Sequence, residues 1–197
     1  MFTGLITHVG TTHTISPLGD GLTIIFTAPE PCCHALTIGD SISVNGVCST
    51  VIAKTTTTFS VQYLEETLKK TTMSTLATGD LVNLEPCLTL ETPLGGHLMS
   101  GHVDTTGTIT QLEYNDPWMV LAIAFDASFA PYIIPKGSIA IDGISLTIVD
   151  AHTTTFTCHL IPHTIQNTHL HKKKCRDMVN LEFDMIGKYL HRFWHLR

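Results

Sequence analysis

The chain has 197 residues, of which 43% are hydrophobic and 14% charged. That charged share is below the ~25% of ordinary soluble domains, which excludes a disordered chain, and no apolar run reaches the ~18 residues of a membrane helix. The 11 basic against 17 acidic residues leave a net charge of −6, the wrong sign for a nucleic-acid surface.

Residues 1–10 lack the basic start and apolar centre of a signal peptide. The six cysteines contain no C-x-x-C pair and are too sparse for a disulfide scaffold. Reduced thiols and a cytoplasmic location are therefore expected. Cys32-Cys33-His34 reads as a loop cluster without the four spaced ligands of structural zinc. Ser41-Ile42-Ser43-Val44 alternates polar and apolar residues, the pattern of a strand with one buried face. Asn45-Gly46 follows as a hairpin turn, because both residues tolerate positive φ. Residues 55–63 are rich in Thr, Phe and Val, as strands are. A short helical turn is predicted at Glu65-Glu66-Thr67.

The series then repeats. Shifted by 97 residues, 39–85 aligns with 136–182 without a gap, with 15 of 47 positions identical by direct count. Asp142-Gly143 takes the place of Asn45-Gly46. Residues 153–160 form the matching strand, and a second helical turn is predicted at Pro162-His163-Thr164. Gly4, Gly10 and Thr11 match Gly101, Gly107 and Thr108. Two copies are too few for a solenoid, so each must close its own core. The expected architecture is all-β: two tandem, duplicated, small antiparallel Greek-key β-barrels and a C-terminal α-helix. The expected domains are 1–92 and 93–184, followed by a helix over 185–197. In that helix Ile186, Tyr189, Leu190, Phe193 and Trp194 share one apolar face, which points to assembly.

Differences between the copies mark candidate chemistry. Cys48 matches Ser145, Leu5 matches His102, and Glu66 matches His163, while Thr50/Thr147 and Thr67/Thr164 are kept. A thiol in one copy and a hydroxyl in the other break the symmetry of two equal sites, as nucleophilic or acid–base work requires. The bland alternatives are a buried Cys48, strand residues Ser145 and Thr147, and a mere interdomain turn at Gly95-Gly96-His97. His97 and His102 are five apart, on opposite faces of a strand, which speaks against a metal pair. His152, His159, His169, His171, His191 and His195 are expected to face solvent, as is the basic run Lys172-Lys173-Lys174.

MFTGLI at 1–6, GDSISVNGVCSTV at 39–51, GGHLMSGHVDTTG at 95–107, KGSIAIDGISLTIV at 136–149 and LIPHTIQNTHL at 160–170 resemble, in this order, the riboflavin synthases of the alpha-chain type. The resemblance spans nearly the whole chain. It implies dismutation of two molecules of 6,7-dimethyl-8-ribityllumazine to riboflavin and 5-amino-6-(ribitylamino)uracil. One substrate donates a four-carbon unit to the other, with no metal or redox cofactor. It also implies two barrels that each bind one lumazine, a homotrimer, and an active site shared between neighbouring subunits. Lumazine synthase is a further candidate partner; nucleic acid and membrane are not.

Carried over by position, Cys48, Ser49 and Thr50 are expected to line the first pocket with Gly4, Leu5, Ile6 and the segment Gln62, Tyr63, Leu64, Glu65, Glu66 and Thr67. Ser145, Leu146 and Thr147 are expected to line the second with Gly101, His102, Val103 and the segment Ile161, Pro162, His163, Thr164, Ile165 and Gln166. His102 is the expected proton-transfer group, its unperturbed pKa near 6.5 suiting that work. Cys48 or Ser145 would deliver or activate a nucleophile. Thr147, Ser41, His97, Lys136 and Asp142 are supporting candidates, and Phe2 and Thr3 would close the pocket. The chain departs from the family at Ser49, where Leu is usual, and at His169, where Thr is usual. Ser49 is expected to alter packing beside Cys48, and His169 to lie near the ribityl end of the second pocket. The alternative class is a non-catalytic lumazine or flavin carrier; an interaction module is a third.

Overall fold

The first repeat builds β1 (His8–Leu18), β2 (Gly21–Thr27), β3 (Ser41–Val44), β4 (Val47–Thr50), β5 (Ala53–Lys54), β6 (Thr58–Tyr63) and β7 (Leu81–Pro86). The second builds β8 (Thr105–Asn115), β9 (Trp118–Ala124), β10 (Ser138–Ile141), β11 (Ile144–Ala151), β12 (Thr155–Leu160) and β13 (Met178–Phe183). This computed structural model describes residues 1–196. The first sheet runs β4-β3-β7-β1-β2-β6-β5, and the second closes as β10-β11-β12-β9-β8-β13. In each copy the last strand returns between earlier ones, β7 between β3 and β1, β13 between β10 and β8, as in a Greek key.

The two copies differ at one seam. β11 is continuous but shifts register against β12 between Ile148 and Ala151. At the matching place the first copy breaks into β4 and β5. The edges of its sheet are thus two pieces of one strand. Ile52 N still donates to Ser60 O at 2.9 Å, so the sheet curls into a barrel. Both hairpins form as the turn chemistry demands: Asn45 and Gly46 have φ of +47° and +82°, and Asp142 and Gly143 have +45° and +81°. Each barrel encloses its own core, with Phe26 and Phe59 in the first and Phe156, Ile109 and Leu181 in the second.

The helical turns fall at α2 (Glu65–Lys70) and α3 (Pro162–Asn167). A helix not foreseen, α1 (Glu30–Ala35), carries Cys32 and Cys33, so these are not a loop cluster. Pro31 sits in its first turn, where its missing N–H costs nothing. Both thiols are buried, and burial pushes Cys32 up to about 11. α4 (Met185–Trp194) docks on its own barrel through Lys188, paired with Asp104 at 3.0 Å, and through His191, whose Nδ1 lies 3.3 Å from Tyr132 Oη. Ile186, Tyr189, Leu190, Phe193 and Trp194 are left exposed. No helix among the described residues is long and apolar enough to cross a membrane.

The barrels meet about a pseudo-two-fold axis. A Cβ on Gly46 or on Gly143 would lie 2.8 Å from the other's nitrogen, so the two turns touch backbone to backbone. Side chains interlock around them. Asn83 Nδ2 donates to Asp142 O at 3.0 Å, and Asn180 Nδ2 to Asn45 O at 2.8 Å. Asn180 Oδ1 accepts from Thr72 N at 2.7 Å, and Asn83 Oδ1 from His169 N at 2.8 Å. One asymmetry stands out: Asp142 Oδ2 faces His169 Nε2 at 3.1 Å and Lys173 Nζ at 3.4 Å.

Candidate functional site

Two short straps build the site. One is residues 1–7, ahead of β1; the other is 97–104, ahead of β8. They pair with each other on the axis: Phe2 N donates to Met99 O at 2.9 Å and Met99 N to Phe2 O at 3.1 Å. Each strap then crosses to the opposite barrel. Ser145 N donates to Gly4 O at 2.9 Å, and Cys48 N to Gly101 O at 2.8 Å. Ile6 packs on the core of the second barrel, and Val103 on that of the first.

This reverses the expected grouping. Gly4 stands beside Ser145 with Ile6 on the second core, while Gly101 stands beside Cys48 with Val103 on the first. Sequence repetition shows which segments are equivalent but not on which copy each one docks. The crossing depends on glycine. Gly4 and Gly101 hold φ of +78° and +79°, and a Cβ on Gly101 would lie 2.7 Å from Cys48 Cβ.

Cys48 and Ser145 are half-buried, each facing the same way as the exposed Thr two residues on, Thr50 and Thr147. Ser41 pairs directly with Thr50. His97 is buried, its Nδ1 2.7 Å from Ser145 Oγ, and its backbone N donates to Thr3 O at 3.2 Å. Burial lowers the His97 pKa, against opposing pulls from Asp184 and Glu182. A neutral imidazole beside a hydroxyl can accept its proton. His102 lies exposed on the second strap, its backbone N donating to Ser100 Oγ at 3.1 Å. His97 and His102 thus belong to a strap, not to two faces of one strand.

Gln62, Tyr63, Leu64, Glu65 and Glu66 line a cavity of about 400 Å³ together with Leu18, Asp20 and Gly21 of the β1–β2 turn, which the sequence did not single out. Thr67 O accepts from Thr71 Oγ1 at 2.7 Å, and Thr164 O from Thr168 Oγ1 at the same distance. Of the 161–166 segment, Ile161, His163 and Gln166 are exposed, while Pro162, Thr164 and Ile165 are half-buried. The side chains of Ser49, Tyr63 and Leu146 belong to the barrel interiors. Ser49 Oγ lies 2.7 Å from Tyr63 Oη and donates to Val47 O at 3.0 Å. The matching pair in the second copy is Leu146 and Leu160. A hydroxyl pair therefore replaces an aliphatic pair, and this accounts for the departure at Ser49.

Other candidates fall elsewhere. Asp142 is fully buried in the interbarrel clasp, not in a pocket. Burial alone would raise its pKa, but Lys173 and His169 outweigh that and hold it below the ordinary carboxylate range. His169 is buried against it, neither solvent-facing nor at the second pocket. Lys136 is exposed at φ +67°, the turn position that Gly39 holds at +96° in the first copy. A cavity of about 660 Å³ opens beside the clasp between Asn45, His169, Lys172 and Arg176, and of the residues expected at or near a pocket it takes in His169 alone. Residues missed altogether are Glu85 and Glu182, whose buried carboxylates hold the straps. Their signal was the identical VNLE that closes both repeats.

The folded state depresses the His97 pKa, so the unfolded chain takes up that proton more readily and stability falls as pH drops below ~6.5. Asp142 adds a loss of the same sign below ~3.9, where the unfolded carboxyl takes up a proton while the folded one is still ionised. The melting temperature should fall between about pH 7 and 5, and by less in His97→Gln. Equal slopes for variant and wild type would contradict this.

The comparisons with known proteins bear on the same residues. The lumazine binding domain family matches twice, over residues 3–86 and 100–184. Riboflavin synthase of Actinobacillus pleuropneumoniae is 40% identical over 195 residues, covering 98% of this chain and 89% of the relative. That of Bacillus subtilis (strain 168) is also 40% identical, covering 99% and 90%. The chain belongs to the riboflavin synthase family. Among solved structures, LumP complexed with riboflavin superimposes with a TM-score of 0.86 at 22% identity, covering 93% of this chain and 99% of that one. LumP complexed with 6,7-dimethyl-8-(1'-D-ribityl) lumazine gives 0.85 at 21%, with the same coverage. The two family matches begin at the two straps, so each riboflavin synthase repeat includes the segment that crosses to its neighbour.

Proposed function

We propose that the protein is a riboflavin synthase that converts two molecules of 6,7-dimethyl-8-ribityllumazine into riboflavin and 5-amino-6-(ribitylamino)uracil. The observation that carries this reading is the pair of equivalent strap-on-strand contacts, Gly101 on Cys48 with its thiol and Gly4 on Ser145 with its hydroxyl. A dismutation of two like molecules needs two like binding sites with unlike reacting groups. One substrate loses its four-carbon unit and the other gains it, so oxidant and reductant are both substrate.

The C7 methyl of the lumazine is acidic because the ring delocalises the resulting anion. His102 moves that proton. Ser145, its proton accepted by the neutral His97, or Cys48 supplies the nucleophile at the partner ring. Thr50 and Thr147 donate hydrogen bonds to the bound rings. Fixed positioning of two reactants can contribute about 7–11 kcal/mol of the barrier. The exposed face of α4 supports assembly into a homotrimer, which would bring the first pocket of one subunit to the second of its neighbour.

His102→Gln should lower kcat by about 10²-fold or more while lumazine affinity changes little, because a proton-transfer group acts in the transition state. Steady-state rates of riboflavin formation, set beside fluorescence titration with lumazine, separate the two. Equal loss of rate and affinity would instead make His102 a binding residue.

A further inference from the structure

The buried carboxylates of Glu85 and Glu182 take no part in the reaction as outlined, yet each is fully engaged. Glu85 Oε1 accepts from Thr3 N and from Thr3 Oγ1, both at 2.7 Å, and Oε2 accepts from Gly4 N at 3.0 Å. Glu182 repeats the pattern. Its Oε1 accepts from Ser100 N and Oγ, both at 2.6 Å, and its Oε2 from Gly101 N at 2.9 Å. Each is 3% exposed. Successive backbone N–H groups ending in a left-handed glycine make an anion-binding concavity, and here a carboxylate from the chain itself fills it.

The wiring is crossed. Glu85 stands on β7 of the first barrel and holds the strap whose Gly4 carbonyl accepts from Ser145 N of the second. Glu182 stands on β13 of the second barrel and holds the strap whose Gly101 carbonyl accepts from Cys48 N of the first. The hydroxyls extend both chains by one link: Thr3 Oγ1 accepts from Leu5 N at 3.2 Å, and Ser100 Oγ from His102 N at 3.1 Å. The hydroxyl is Thr3 in one copy and Ser100 in the other, and the link ends at Leu5 in one and at His102 in the other.

We propose that Glu85 and Glu182 are positioning residues, each reaching through a strap to fix the pocket of the opposite barrel, and that Glu182 through Ser100 sets the place of His102. The proposal rests on the functional reading above. Carboxylate is required because every group facing it donates. Glutamine in either orientation turns an NH2 toward a backbone N–H. The two sites therefore have unequal consequences. Glu182→Gln displaces a proton-transfer group, whereas Glu85→Gln displaces the backbone beside Ser145 and leaves the His102 link intact.

The test uses the full-length chain. Glu182→Gln should lower kcat by about 10²-fold, since small displacements of a reacting group cost that much, while riboflavin affinity stays within about three-fold. Hydrogen exchange read by mass spectrometry should accelerate in the peptide containing Gly101 and His102. In Glu85→Gln it should accelerate in the peptide containing Thr3 and Gly4 instead. If Glu182→Gln does not fold, Ser100→Ala removes only the hydroxyl link and should show the same direction of change at His102. Unchanged exchange in these peptides, or unchanged kcat in Glu182→Gln and Ser100→Ala, overturns the proposal. Wild-type protein that forms no riboflavin overturns the functional reading, and the exchange data still decide whether the carboxylates hold the straps.

Discussion

Gly101→Ala is expected to destabilise the protein by at least ~2 kcal/mol and to remove binding at the first site. Two costs add. A left-handed backbone costs a Cβ-bearing residue about 1–2 kcal/mol. The new methyl also meets Cys48 Cβ at 2.7 Å, Phe2 Cε2 at 2.8 Å and Cys48 N at 2.9 Å, and none of these is the free end of a flexible chain. Overpacking of that kind costs a further 1–3 kcal/mol or about that. At roughly 2–4 °C per kcal/mol for a chain of this size, the melting temperature should drop by about 4 °C or more. The strap must move off β4 to relieve the contact, and Cys48 N then loses its acceptor. Titration with lumazine should give half the wild-type stoichiometry per chain. Full stoichiometry with wild-type stability would contradict the crossing of the second strap.

Phe2→Ala should cost about 3–5 kcal/mol, the usual range for deleting a buried phenyl ring. Phe2 is fully buried with Met99 and Ala140, half-buried Cys48 and Cys87 packing against them. Its ring lies under Gly101, and its backbone pairs with Met99. One residue thus ties both straps together on the axis. Unlike Gly101→Ala, this change should weaken ligand binding at both pockets alike, read as a parallel loss of affinity at two sites by titration. Loss at one site alone would show that the straps act independently.

Much of the fold was legible because local and global signals agree. The NG and DG turns, the period-two strands and the unbroken 97-residue repeat each pointed to two copies of one barrel. The apolar face of α4 was equally plain. The strap crossing was not legible. Gly4 and Gly101 stood out as equivalent, but a repeat fixes correspondence, not contact, and either docking satisfies the same pattern. Asp142 was misplaced for a related reason. It lies three residues from Ser145 in sequence, yet its place in the type I′ turn aims it at the clasp, where Lys173 supplies charge and His169 Nε2 lies 3.1 Å away. His169 looked like a surface histidine because its partner is 27 residues away. Ser49 was readable only with Tyr63, since a buried hydroxyl needs its mate and neither residue announces the other.

On the function proposed above, each chain holds two like sites for two like substrates, and a four-carbon unit passes between the first site of one subunit and the second of its neighbour. The most direct measurement is to mix the purified protein with 6,7-dimethyl-8-ribityllumazine and follow both compounds by absorbance. One riboflavin formed for every two lumazines consumed, with 5-amino-6-(ribitylamino)uracil as the other product, is the expected result. Folded protein that binds lumazine at both pockets and forms no riboflavin would contradict it.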